Sequence, residues 1–306
     1  MKLLEQLCQI HAPSGEEYRL TNFLLNYIQE HQLEWKTKPK IYAGDGFQDN
    51  IILVFGEPRT AVFAHIDSIG FTVKYNKKLI KIGGPTIADG YALKGFDEQN
   101  ELILTSLTTV ETDSGNRIEH TGEPIDRGTS LSFDCNFRID EQFVQSCYLD
   151  NRLGVWVALQ LCKTISHGAI VFSTWEEHRG GSVAYLSDFL AKNYQLSQGL
   201  IADITWVTEG VKHGEGVAIS LRDSLIPRRS FVNKIIALAK KHKIPHQLEV
   251  EDAGGSDGKE LQQAAHPWDW CFIGAPEDHV HSPDEKVHRK DIDAMLQLYQ
   301  VLMDEL

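Results

Sequence analysis

The chain has 306 residues, 42% of them apolar and 24% charged, the balance of a globular enzyme rather than a disordered or fibrous protein. Its formal charge of −13, with no Lys/Arg-rich tract, argues against nucleic acid as a partner. No apolar run approaches the roughly 20 residues of a membrane-spanning helix, and Glu5 and Gln6 interrupt the apolar core that a signal peptide would need, so a cytoplasmic protein with no membrane partner is expected.

In chain order, Ser14 with Glu17 three residues later resembles a capping box. Leu20, Phe23, Leu24, Tyr27 and Ile28 then fall on one face of a helix. Two apolar runs, IILVFG (51–56) and TAVFAHID (60–67), read as a strand pair joined by Glu57-Pro58-Arg59. Between about 71 and 146 helical periodicity disappears. Turns at Gly83-Gly84, Asp89-Gly90 and Ser114-Gly115 alternate with short strand-like runs such as LILTSL and SLSFDCNF, the pattern of a small all-β unit. From 147 the α/β alternation resumes: a helix after Asp150, strand 169–175, helix 182–193, strands 199–205 and 216–221, helix 230–242 and strand 270–274. The terminal helix carries an apolar stripe of Ile292, Met295, Leu296, Tyr299 and Met303. The expectation is a discontinuous α/β domain, 1–70 and 147–306, with a mixed sheet flanked by helices and a β domain inserted at 71–146. The five cysteines have no C-x-x-C spacing and read as reduced thiols.

Chemistry-bearing side chains recur where apolar runs end: His65 and Asp67, Asp150, Glu176 and Glu177, Asp203, and His281. Open α/β sheets gather functional groups beyond the carboxyl ends of their strands. Carboxylate and imidazole together suit zinc and similar divalent ions, and a pair of ions about 3.5–4 Å apart needs a shared ligand. His65 and Asp67 are two apart, so an extended strand turns both to one side, and Asp67 can fix the imidazole tautomer. Each group also has a plainer reading. Asp150 could cap a helix, the glutamate pair could be a solvated loop entry, and a lone His at a strand end is more often an ordinary polar residue. Asp203, inside an apolar run, needs a partner on either reading.

The ordered set resembles the glutamyl-aminopeptidase and TET-like branch of the co-catalytic di-zinc exopeptidases, metallopeptidase family M42. The stretches that carry the resemblance are AHIDSIGF (64–71), PIDRGTSLSF (124–133), YLDNRLG (148–154), the EE of STWEEHRGG, ADIT (202–205), GGSDGKEL (254–261) and HSPDE (281–285). It implies two divalent ions per chain, zinc, with cobalt or manganese as alternatives. His65 and Asp203 would be terminal ligands of one, Asp150 would bridge, and Glu177 and His281 would complete the other. Glu176 would be the general base and Asp67 would orient His65; Asp257 would be a carboxylate at the site rim. The implied activity is removal of N-terminal residues from peptides by a homo-oligomer. Ser68 stands where the family commonly has an acidic residue, and the insert is short. A deacylase or carboxypeptidase on the same scaffold would need an arginine for the substrate carboxylate, with Arg152, Arg179, Arg222, Arg228 and Arg229 available, and an inactive metal-binding scaffold would have no use for Glu176.

Overall fold

In the computed structural model of the chain, residues 1–113 and 115–306 are described; Ser114, part of one expected turn, lies outside them. Helices α1 (Lys2–Gln9) and α2 (Tyr18–His31) open the chain, followed by β1 (Lys40–Gly44), β2 (Gln48–Phe55) and β3 (Ala61–His65). Then come β4 (Gly70–Val73), β5 (Leu79–Ile82), β6 (Ala92–Phe96), β7 (Leu102–Thr112), β8 (Gly115–His120) and β9 (Ser130–Phe133). Two short strands, β10 (Arg138–Ile139) and β11 (Phe143–Ser146), lead to α3 (Leu149–Cys162) and β12 (Gly168–Ser173). The remainder is α4 (Ser182–Tyr194), β13 (Gln198–Trp206), β14 (Val217–Arg222), α5 (Arg229–Lys241), β15 (His246–Val250), α6 (Gly258–Gln262), β16 (Asp269–Asp278), β17 (Glu285–His288) and α7 (Arg289–Glu305).

The large sheet runs β1-β2-β12-β3-β13-β16-β17-β11-β10, with β14 and β15 branching from β16. Its centre, β12, β3, β13 and β16, is parallel, and these strands are buried throughout or nearly so, as a parallel sheet covered on both faces requires. Alternating residues divide the core. Ile51, Leu53 and Phe55 pack with α1, α2, α3, α5 and α7 on one face, while Ile52 and Val54 pack with α4 and Leu261 of α6 on the other. The expected pair 51–56 and 60–67 does form two strands, but they do not pair with each other. β12 lies between them, antiparallel to β2 and parallel to β3.

The second sheet, β5-β4-β9-β6-β7-β8, spans residues 70–133 and closes around Ile69, Phe71, Leu93, Leu107, Leu131 and Phe133. Its first and last strands are neighbours, Phe71 opposite Leu131, so the chain enters and leaves it at one place. β10 and β11, within the expected insert, instead join β17 of the large sheet. The reduced-thiol expectation fails at one pair: Cys135 and Cys147 form a disulfide, while Cys8, Cys162 and Cys271 are free and buried. Their spacing of 12 carries no sequence signal; the return from β9 to β11 brings them together. Among the described residues no helix is long and apolar enough to cross a membrane.

Candidate metal centre

Because β3, β12, β13 and β16 are parallel, their carboxyl ends open on one edge of the sheet. His65 is the last residue of β3. Glu176 and Glu177 sit in a single 3₁₀ turn just past β12. Asp203 lies near the end of β13, His281 follows β16, and Asp150 stands at the entrance of α3. Packing fixes that entrance. Asn151 donates to the carbonyl of Ala202 (2.9 Å) and accepts from the amide of Gly154 (2.9 Å). A Cβ on Gly154 would fall on that same carbonyl, which accounts for the glycine of YLDNRLG.

The side chains form two trios. His65, Asp150 and Asp203 offer ligand atoms all within 4.8 Å of one another, and so do Asp150, Glu177 and His281. Asp150 belongs to both. Its Oδ1 is 3.2 Å from His65 Nε2, and its Oδ2 is 3.4 Å from His281 Nε2. Asp203 Oδ2 is 3.6 Å from His65 Nε2, and Glu177 Oε2 is 3.2 Å from His281 Nε2. Glu176 Oε2 approaches His65 Nε2 at 4.0 Å but belongs to neither trio.

Asp67, wholly buried, is held from several sides. It accepts the backbone amides of Glu176 and Glu177, both at 3.1 Å, and the Ser14 hydroxyl at 2.6 Å, and its Oδ1 lies 3.4 Å from His65 Nδ1. That leaves Nε2 of His65 facing the trios. The capping box therefore does not form: Ser14 is bound to Asp67, and the N-cap Glu17 makes no side-chain cap. Ser68, also buried, donates to the carbonyl of Ala12 instead of facing the site.

Electrostatics bind the cluster together. Burial works against a charged imidazole, yet Asp203, Asp150 and Asp67 carry His65 well above its usual range; Asp150 and Glu177 likewise bring His281 up to about 12. Burial, with Asp203 and Glu177 as like-charged neighbours, pushes the Glu176 carboxyl far up. Four carboxylates facing two imidazoles make a site that favours added positive charge. Glu177 Oε1 is buried with no hydrogen-bond partner. Two mixed imidazole–carboxylate trios sharing one carboxylate, with Asp67 behind His65, fit a pair of divalent cations.

The sequence reading assigned no role to several supporting residues. Glu285, fully buried, accepts the amides of Asp150 (3.2 Å) and His281 (3.0 Å); its place in HSPDE, four residues after His281, was the available signal. Arg152, expected as a possible substrate ligand, is wholly buried and donates to the carbonyls of Ile66 (2.6 Å) and Asp67 (3.3 Å), so it holds the end of β3 rather than a substrate. Arg228 pairs with Asp269, and Arg222 donates to backbone carbonyls. Arg179 lines a cavity beside Glu176. Asp257, expected at the rim, is buried, accepts from Ser173, and is held up to about 7 by that burial.

A putative aminopeptidase of Acetivibrio thermocellus is 27% identical to this chain over 97% of it and 96% of its own length. The lysyl aminopeptidase of Pyrococcus furiosus is 24% identical, covering 84% of this chain and 85% of its own. The solved TET1 peptidase of Pyrococcus horikoshii, which can assemble into a tetrahedron or a large octahedral shell, has the same fold, with a TM-score of 0.80, 23% identity, and coverage of 100% and 99%. The sequence pattern of the M42 glutamyl aminopeptidases matches residues 97–298, more than half of the chain and the stretch that holds Asp150, Glu176, Glu177, Asp203 and His281, and the chain belongs to that family of metal-dependent aminopeptidases.

Proposed function

We propose that this chain is a two-metal aminopeptidase in which Glu176 is the general base. Supporting this is one observation above the others: two donor trios share Asp150, with Glu176 beside His65 and part of neither trio. His65 and Asp203 hold one ion, Glu177 and His281 the other, and zinc, cobalt or manganese suits the donors. Two such ions supply Lewis acidity that polarises a scissile carbonyl and acidifies water. Glu176 takes the proton from the attacking water and delivers it to the leaving amine. Asp67 fixes the tautomer of His65 and, through two amides, the loop that carries Glu176 and Glu177. The free amine of a peptide substrate sits among the carboxylates of the cavity, so blocked N-termini are resisted.

The test pairs two variants. Glu176→Gln retains zinc, while turnover falls by about 10²–10⁴-fold, the usual worth of a positioned acid–base group. Glu177→Gln loses about one equivalent of zinc, because an amide oxygen is the weaker ligand. Zinc lost from Glu176→Gln and kept by a fully active Glu177→Gln would reverse the roles. Arg179 beside Glu176 is the one observation that favours a carboxypeptidase or deacylase. Mass spectrometry of a digested peptide decides between them, since trimming from the C-terminus would end the aminopeptidase reading and spare the metal site.

A further inference from the structure

The trios open into a cavity of about 220 Å³, and its lining is unequal. The near side is the metal centre itself. Ile204, Phe272 and Val280 give apolar wall, and Trp206 stands at 41% exposure. The far side carries three further carboxylates, Asp223, Glu249 and Glu251, and among the described residues no lysine or arginine lines the cavity. Asp223 and Glu249 are buried. None of these three belongs to either trio.

Strand geometry gives the distance between the two sides. Asp203 and Thr205 are two residues apart on β13 and point the same way, so they are roughly 6–7 Å apart along the strand. Thr205 donates its hydroxyl to Glu249, which places that carboxylate one residue pair beyond the metal centre. An extended lysine side chain spans a similar length. Its methylenes suit the apolar wall, its ammonium suits both the face of Trp206 and the carboxylates, and an uncharged chain of that length would leave the acids facing it unpaired.

The charges around the far wall agree. Burial, together with Asp223 and Glu251 as like-charged neighbours, raises the Glu249 carboxyl, and burial raises that of Asp223. Arg222 is the cation beside them: its Nε donates to the carbonyls of Asp223 and Glu251, and its charge opposes, without overcoming, the rise at Asp223. A second cavity that Glu176 also lines, about 180 Å³, carries Arg179 and Lys259 together with Asp257 and Glu260. Of the two, only the chamber that opens from the metal centre is thus lined by carboxylates without lysine or arginine among the described residues.

We infer that Asp223, Glu249 and Glu251 are specificity-determining residues that select peptides whose N-terminal residue is lysine or arginine. This rests on the aminopeptidase reading above, by which the first residue's side chain enters the acidic chamber.

Zinc-loaded, full-length protein is assayed on aminoacyl p-nitroanilides of lysine, arginine, norleucine and glutamate. The expected order of kcat/KM is lysine and arginine above norleucine by at least tenfold, with glutamate lowest. Asp223→Asn and Glu251→Gln, singly, lower kcat/KM for lysine about tenfold or more through KM and leave norleucine within twofold. Two variants guard against misfolding of one, and norleucine turnover reports folding. Calorimetric binding of free lysine and norleucine to the same zinc-loaded protein gives a readout independent of turnover: lysine binds at least tenfold more tightly. Norleucine or glutamate preferred, or lysine affinity unchanged in both variants, overturns the inference while aminopeptidase activity stands. If no anilide is cleaved, the catalytic reading falls, and the lysine-to-norleucine binding ratio still judges the chamber.

Discussion

Ser14 and Asp67 are 53 positions apart and meet at 2.6 Å, and that contact redirects a local signal. As a capping residue Ser14 would accept from a backbone amide; beside a wholly buried carboxylate its hydroxyl donates instead, since a charge-assisted hydrogen bond outweighs a neutral cap. No local pattern reveals this, whereas the ligand types at strand ends were legible because each carries its chemistry in its own identity. Ser14→Ala should weaken zinc retention about tenfold, the range found when a partner behind a metal ligand is removed, as read by chelator competition. Glu17 gives a pH signature. Burial and the nearby Asp67 hold its carboxyl up at about 7, above the ordinary 4.5, and its Oε1 has no partner. Across that window the folded chain keeps a proton that the unfolded chain has released, so stability falls as pH rises from 4.5 to 7. Glu17→Gln should match the native chain near pH 4.5 and exceed it by about 1–3 kcal/mol at pH 8 in urea titrations.

The elements were legible where periodicity spoke and opaque where pairing did. Leu20, Leu24 and Ile28 are buried on α2, and Ile292, Met295, Tyr299 and Met303 on α7, as their spacing implies. The run from 51 to 67 looked like a hairpin because Pro58 punctuates it, yet β12 pairs with both of its strands. Strand order depends on partners more than a hundred residues away, which no short window contains. The acidic wall escaped notice for the same reason, since Asp223 and Glu249 meet only when β14 and β15 pair. Two substitutions probe how elements hold the site. The Tyr299 hydroxyl on α7 donates to the carbonyls of Ile201 (2.7 Å) on β13 and Ile273 (3.0 Å) on β16. Tyr299→Phe should cost about 1–2 kcal/mol in denaturant unfolding and leave zinc stoichiometry intact. Gly154→Ala should cost about 1–3 kcal/mol and also impair zinc binding, because the displaced neighbours, Asn151 and Ala202, adjoin Asp150 and Asp203.

At the scale of the whole molecule, the net charge of −13 favours encounter with cationic peptides at low salt, in accord with the acidic chamber. The six-stranded sheet is proposed to act as a domain that contributes to self-association; sedimentation as a monomer at micromolar concentration would refute that role. The order β2-β12-β3 has a further consequence, one of time. The strands of the six-stranded sheet all lie within residues 70–133, so their pairing partners emerge close together. β2 and β3, by contrast, find their shared neighbour only with residues 168–173. At about 5–20 residues per second of synthesis, β3 stays unpaired, and β2 has only β1 beside it, for roughly 5–20 s after the ribosome has made them. The most aggregation-exposed moment in this chain's life thus precedes the finished molecule, and it falls on the strand that ends in His65.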